Sequence, residues 1–314
     1  MARGKIGILI PGQNGDVMSA MSVLKYKDIL WPEKDIVWYC NLPFAEVLKY
    51  APVEIRHWPN GWMLPERCLV DGPLDVAKGF PNWEDWSALK TKDNKLDQKL
   101  KYNFESIKDL EEGYFAAPHQ MSLEQRANID YPNCSRKVFG VDPSWEWHPF
   151  LSFSDEEREM VKDFCSKLPH KRTVMIETFF GSGVNIWTDQ LTKDTMTICR
   201  NRFGSCNFIF CSHNDNSRFF DDPGVVSCSH FSVRQTALVN NYSDLFIGIS
   251  SGISVAVNCW GNKPTPKIQY TGSFIGSTKS LANGPFELIE TDYNKNPVQE
   301  FKTKLVNMLH KMDQ

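Results

Sequence analysis

Between Lys5 and Cys40 the chain runs through an apolar segment, a glycine turn, a helically spaced stretch and a second β-rich segment. That order leaves few folds open, because parallel strands need a crossover of a dozen or more residues and helices usually supply it. Ile6, Ile8, Leu9 and Ile10 make a short buried strand, and Pro11, Gly12, Asn14 and Gly15 make a turn. Val17, Met21 and Leu24 then recur at helical spacing before the β-rich run Asp35–Cys40. Asp16 falls at the start of the helix, above the carboxyl end of the first strand, which is where open α/β sheets bind ligands. A carboxylate there also satisfies free N–H groups and the positive end of the helix dipole, so a capping role stays open beside a catalytic one.

The pattern continues with "PFAEVLKYAP", a short helix closed by proline, and "VEIRHW", a third strand ending near Arg56, His57 and Trp58. From Pro59 to about Gly140 regularity drops, with helices expected near Asn82–Ala88, Phe104–Leu110 and Leu123–Asn128. The mixed-charge run "KTKDNKLDQKLKY" reads as a solvated face. Ser154 followed by three acids opens a helix over 154–168 that Pro169 stops. Strands "TVMIET", "NFIFCS", "GVVSC", "DLFIGIS" and "PKIQY" then alternate with helices over Thr188–Phe203, "SVRQTALVNNY" and "SGISVAVNCW", and an amphipathic helix Pro297–Met312 closes the chain. Strands alternating with helices predict parallel sheets covered on both faces. The expected fold class is α/β, with two Rossmann-like domains, 1–150 and 151–314, facing a central cleft. The first carries an irregular insert over 59–140, and the last helix, 297–312, is expected to pack back across the domain junction.

Hydrophobic residues make up 41% of the 314 positions, enough for sizeable cores. A net charge of −3 and the lack of any basic arm exclude a nucleic-acid binder that works by neutralising phosphates. The first apolar run is too short for a signal peptide, and no apolar stretch approaches the ~20 residues of a membrane span. The expectation is a cytoplasmic protein with at most peripheral membrane contact. Nine cysteines without a C-x-x-C spacing read as buried, reduced thiols and support neither a zinc ribbon nor a dithiol motif.

The stretch "LFIGISSGISVAVNCWGNKP" carries the most chemistry. A buried strand ends at Ile249, and Ser250, Ser251 and Gly252 turn into the next helix, offering hydroxyls, backbone N–H groups and a close backbone approach to an anion. A serine cap beside a packing glycine explains the same residues. The loop "FFGSGVN", with Gly181, Ser182, Gly183 and Asn185, forms a second strand-to-helix turn in the same half. Arg56, Trp58 and Trp62 near the end of the third strand offer a surface on which a sugar could stack, as well as ordinary packing. Asp215, Asp221 and Asp222 read as turn formers, and no metal site is expected.

The stretch "NGDVMSAMSVLKYKDILWPEKDIVWYCNLPFAEVLKYAP" resembles the opening of the ADP-heptose:lipopolysaccharide heptosyltransferases. "SVRQTALVNNYSDLFIGISSGISVAVNCWGNKP" is similar to their carboxyl-terminal signature, in which an Asp-Thr-Gly turn opens the donor-site helix. "FFGSGVNIWT" resembles their Lys-x-Trp segment, with Trp187 matching the tryptophan. The resemblance covers about two-thirds of the chain and leaves Pro59–Gly140 unmatched. It implies a GT-B-type glycosyltransferase with acceptor on the first domain and nucleotide-sugar on the second. Asp16 then matches the catalytic base, with Gln13, Asn14, Arg56, Trp58 and Trp62 on the acceptor side. Ser250, Ser251 and Gly252 match the diphosphate turn, and His230, Ser232 and Arg234 fall where the nucleotide is met, with an ordinary partly buried histidine as the other reading of His230.

This chain has Asn185 in place of the family's lysine, Ser250 in place of its aspartate and Val255 in place of its histidine. The resemblance therefore implies glycosyl transfer without specifying ADP-heptose, with Lys171, Arg172, Arg200 or Arg234 as substitutes for the lost lysine. It further implies a glycan acceptor (oligosaccharide, glycolipid or glycoprotein) and no cofactor beyond the donor itself. Two other readings stay open. A sugar-nucleotide 2-epimerase shares the architecture but needs several carboxylates, where only Asp16 and Glu177 present themselves. A non-catalytic sugar-nucleotide or glycan-binding protein needs none.

Overall fold

Strand β1 (Lys5–Leu9) lies parallel to β2 (Asp35–Cys40), with Lys5 opposite Asp35 and Leu9 opposite Tyr39. The computed structural model describes residues 4–10, 14–40, 42–57, 112–115, 135–136, 139–178, 187–211, 219–271, 281–290 and 297–312. They fall into two units, Met1–Ser152 and Phe153–Gln314.

In the first unit β3 (Glu54–His57) pairs with β2, and β4 (Glu112–Phe115) pairs with the other side of β1, giving the order β3-β2-β1-β4. Every pairing is parallel. The crossover from β1 to β2 is α1 (Asn14–Met21), a 3-10 turn (Ser22–Tyr26) and α2 (Lys27–Leu30). Ile6, Ile8 and Ile10 are buried with Val17, Met18, Met21 and Val37, the core expected where a parallel sheet is covered by its crossovers. "PFAEVLKYAP" forms a 3-10 helix, Leu42–Leu48. The stretch expected to be irregular supplies the fourth strand of the sheet, which its local sequence does not announce. The three helices expected there lie outside the described residues.

Aromatic side chains fasten residues 139–151 to the end of this crossover. Tyr26 packs against Trp145 with ring centroids 4.6 Å apart and planes tilted by 35°, and its hydroxyl donates to the Glu146 carbonyl at 2.5 Å. Trp31 meets Phe139 edge-on at 6.2 Å, and Trp147 is fully buried beneath the Arg136 guanidinium.

The second unit opens with α3 (Asp155–Ser166), capped as its sequence predicts. Ser154 Oγ accepts from the Glu157 amide at 3.2 Å while Glu157 Oε2 accepts from the Ser154 amide at 3.0 Å. The sheet starts at β5 (Arg172–Glu177), continues outward through β6 (Cys206–Phe210) and β7 (Val225–Ser227), then returns to place β8 (Leu245–Ile249), β9 (Lys267–Thr271) and β10 (Phe286–Glu290) on the other side. The order is β10-β9-β8-β5-β6-β7, again wholly parallel. The sequence reading missed β10.

Helices α3, α5 (Val233–Val239) and α6 (Gly252–Ala256) cover one face around Val161, Met175, Ile209, Phe246 and Val257. The other face is covered by α4 (Asp189–Phe203) and α7 (Pro297–Lys311) around Val174, Ile176, Phe208, Phe301 and Leu305. Helix α7 packs on β9, β10 and α4 of its own unit.

At the amino end of β9 the sheet buries a charge. Lys267 is 1% exposed, and its Nζ lies 2.8 Å from the Thr265 carbonyl, 3.1 Å from the Asn283 carbonyl and 3.0 Å from Asn283 Oδ1. Burial pushes its ammonium down to about 7. The unfolded chain then binds more protons between pH ~7 and the ordinary lysine value of ~10.4, so the lysine's contribution to stability rises with pH across that window. The difference in Tm between wild type and Lys267→Met should shift in favour of wild type from pH 7 to pH 9.5. A difference unchanged with pH would show that Lys267 does not titrate there.

The seven described cysteines are free thiols, and six of them are buried. Burial pushes Cys40 and Cys259 up to about 12, which makes them poor nucleophiles.

Candidate functional site

In both units the first strand has its successors on one side and a later strand on the other. The strand order reverses between β1 and β4 in the first unit and between β5 and β8 in the second. Ligands of open α/β sheets bind in the crevice outside the carboxyl ends at such a reversal. The two reversals locate the residues to inspect.

In the first unit β1 runs through Ile10, whose amide donates to the Tyr39 carbonyl at 3.1 Å, and α1 begins at Asn14. Asp16 lies in the first turn of α1 and is 9% exposed. It is the third residue of the helix, so Asn14 precedes it in the turn. Asn14 Oδ1 is buried and accepts no hydrogen bond from the described residues. A buried acceptor without a donor costs ~1–3 kcal/mol, so this atom is poised to take a proton donor from a ligand or water. Gln13 lies outside the described residues, as do Trp58 and Trp62.

Arg56, on β3 beside Tyr39, is held in place. Its Nε donates to Glu54 Oε1 at 2.7 Å and its Nη1 to the Tyr39 hydroxyl at 2.9 Å, while Lys5 Nζ reaches Glu54 Oε2 at 2.8 Å. Glu54 is drawn below the usual carboxylate range by its hydrogen bonds to Lys5 and Arg56. Tyr39 is a member of this edge that sequence reasoning did not single out. Its position one residue before the end of a buried strand was the available signal.

In the second unit the reversal brings Glu177 and Thr178 beside the end of β8. Glu177 is 2% exposed and stands opposite Gly248. A Cβ on Gly248 would come within 2.9 Å of the Phe246 ring and 3.2 Å of Glu177 Cβ, so glycine makes room for both side chains. Beyond Ile249, the Ser250 amide donates to the Tyr270 carbonyl at 3.1 Å and prolongs the ladder. Ser251 then caps α6, its hydroxyl accepting from the Ser254 amide at 3.2 Å. Ser254 donates its own hydroxyl back to the Ile249 carbonyl. The amides of Gly252 and Ile253 precede the first acceptor within the helix, so they are free to meet an anion at this edge. Gly181, Ser182, Gly183 and Asn185 lie outside the described residues.

The nucleotide-side residues divide. His230 is exposed, its ring against Phe164 and Phe231. Ser232 caps α5 in a reciprocal pair of bonds with Gln235, at 2.9 and 3.3 Å. Arg234 is corrected by the structure. It has no exposed surface, and its guanidinium is paired through both terminal nitrogens with the Glu157 carboxylate of α3. An arginine so enclosed holds helices together and does not reach a nucleotide.

The other substitutes expected for the missing lysine are also committed elsewhere. Arg172 pairs with Asp244 at the amino end of β5, and Arg200 pairs with Asp222. Lys171 precedes β5, again at the amino end. Trp187 is buried in the core, donating from Nε1 to Thr192 Oγ1 at 2.9 Å and meeting Phe301 edge-on. Among the described residues, no group of three His, Cys, Asp or Glu side chains is placed to hold a metal, and no helix is long and apolar enough to cross a membrane.

No family model and no curated protein sequence matches the chain. Solved structures do. The chain is similar over 99% of its length to the glycosyl transferase family 9 structure from Veillonella parvula, at 12% identity and a TM-score of 0.62 over 98% of that chain. It is similar over 99% of its length to E. coli ADP-heptose lipopolysaccharide heptosyltransferase II, at 12% identity and a TM-score of 0.63 over all of that chain. E. coli heptosyltransferase WaaC with ADP gives 12% identity and a TM-score of 0.55, over 98% of this chain and 99% of that one. At such identities the likeness is one of fold. It agrees with two Rossmann-like units built on parallel sheets.

Proposed function

We propose that the chain is an inverting glycosyltransferase that moves a sugar from a nucleotide-diphospho-sugar to a glycan hydroxyl. The observation that carries this reading is Asp16, held in the first turn of α1 at the strand reversal of the first unit, beside the unmet acceptor Asn14 Oδ1. The attacking hydroxyl of an acceptor bound there would lose its proton to Asp16 as its oxygen attacks the anomeric carbon and the nucleoside diphosphate leaves, while a neighbouring acceptor hydroxyl donates to Asn14 Oδ1. The second unit supplies a different chemistry. Its Ser251–Gly252 turn offers backbone amides and a hydroxyl to the departing nucleoside diphosphate. The full-length likeness in fold to heptosyltransferase structures supports the same assignment, with acceptor on the first unit and donor on the second.

In this reading leaving-group charge is met by amides, so turnover needs no metal. The chain works in the cytoplasm, with at most peripheral contact with a membrane carrying the acceptor.

The test is a thermal-shift screen of UDP-, GDP-, ADP- and dTDP-sugars, because a ligand of the native state raises its apparent stability. A hit is followed by release of nucleoside diphosphate in the presence of glycan acceptors. Binding without release would make the protein a carrier or sensor, and conversion of the free donor to its 2-epimer would make it an epimerase. Gly252→Val should weaken binding of the hit by about tenfold or more, since a branched side chain obstructs the approach of phosphate to the turn. Undiminished binding by that variant would remove the phosphate assignment.

A further inference from the structure

Helix α6 has five residues, too few to hold its own shape, so its first turn must be fixed from outside. A chain of hydrogen bonds does this from the far edge of the sheet. Asn258, 1% exposed and just beyond α6, donates from Nδ2 to the Ser254 carbonyl at 2.8 Å. Its Oδ1 accepts from the Asn283 amide at 3.4 Å. Asn283 is tied in turn to Lys267 Nζ through both its carbonyl and its Oδ1. Its Nδ2 donates to the Asn262 carbonyl at 3.3 Å, and Asn262 donates to the Ala237 carbonyl at 2.9 Å. At the other end Ser254 anchors the turn twice, with its amide to Ser251 Oγ and its hydroxyl to the Ile249 carbonyl.

We propose that Lys267 is a positioning residue for the Ser251–Gly252 turn, acting through Asn283, Asn258 and Ser254. The inference rests on the donor-site reading above and deepens it by naming what sets the turn. What the lysine adds is two bonds to Asn283 and one to the Thr265 carbonyl, and the Asn283 amide carries the link on to Asn258. Every group along the route has its partner within 3.4 Å, so a break at one end leaves an unmet donor or acceptor at the next.

The test measures the Kd of whichever of ADP, GDP, UDP or dTDP the wild type binds, by titration calorimetry. Lys267→Met and Asn258→Ala should each weaken it by about tenfold, and the double variant should be no weaker than the worse single one, as members of one network are non-additive. The control is Asn207→Ala. Asn207 is fully buried at the amino end of β6, bonding the His170 and Arg172 carbonyls at 2.7 and 3.1 Å, with no link to α6. It should lower Tm comparably and leave Kd within about twofold of wild type. Wild-type affinity in a folded Lys267→Met overturns the proposal, as does an equal loss in Asn207→Ala. If Lys267→Met does not fold, Lys267→Arg, which keeps a donor, and Asn283→Ala, which removes the lysine's side-chain acceptor, take its place, and wild-type affinity in a folded Asn283→Ala overturns the proposal. A wild type that binds none of the four overturns the donor-site reading itself, a result distinct from either.

Discussion

Asp16→Asn should keep its fold and its donor affinity and lose about 10²–10⁴-fold in kcat, the usual range for removing an acid–base group. Asparagine matches aspartate in shape and is well tolerated at helix starts, so the first turn of α1 should survive. The charge itself contributes only ~0.3–1 kcal/mol through the helix dipole, which limits the loss of stability. Donor affinity should hold because the Ser251–Gly252 turn belongs to the other unit. The measurement is kcat at saturating donor and acceptor, with Tm alongside. A variant that turns over within a few-fold of wild type would leave Asp16 as a first-turn carboxylate and the reaction without a base.

The largest loss of stability is expected from Arg234→Met. Arg234 and Glu157 are 0% and 7% exposed in their side chains and paired through two bonds between α5 and α3. Removing one member of a buried pair strands the other, at a cost of about 3–5 kcal/mol. For a unit of this size that is a fall in Tm of roughly 10 °C. Adding Glu157→Gln should recover much of it. The glutamine carries no charge to strand and still accepts from the Ser154 amide, so the cap of α3 is kept. Urea and thermal denaturation of the single and double variants check both statements. A loss below about 1 kcal/mol in Arg234→Met would show that water reaches Glu157 and solvates it.

The alternation of strand and helix was legible wherever the chain is locally consistent: apolar β-rich runs, serine caps followed by acids or glutamine, glycine turns between them. Ser154 and Ser232 illustrate it, each opening a helix through the reciprocal bond its third neighbour returns. Strands β4 and β10 were not legible. Each is a short run, "EGYF" and "FELIE", without the apolar density of a central strand, and each is defined by the partner it meets far along the chain.

The site reading was mixed for a related reason. Asp16 and Ser251 announce themselves through their place after a strand, which is a local property. Arg234 announced only a charge, and nothing near it in sequence says that Glu157, on a helix opened seventy-odd residues earlier, will enclose it. The network under α6 was illegible too, because asparagines read as turn formers until their partners are known.

The position of β4 has a consequence for how the first unit comes into being. Ile6 lies opposite Glu112, about a hundred residues later in the chain, whereas β1, β2 and β3 follow one another closely. A nascent chain therefore completes three strands well before the fourth is synthesised, and one flank of β1 waits as an open parallel edge. Such long-range pairings slow folding, and open edges invite association with other chains. The second unit repeats the problem on a smaller scale, since β5 must await β8. Synthesis of this protein should thus be most vulnerable to aggregation in the interval before residue 112 emerges, and fragments ending ahead of it should be the least soluble of a truncation series.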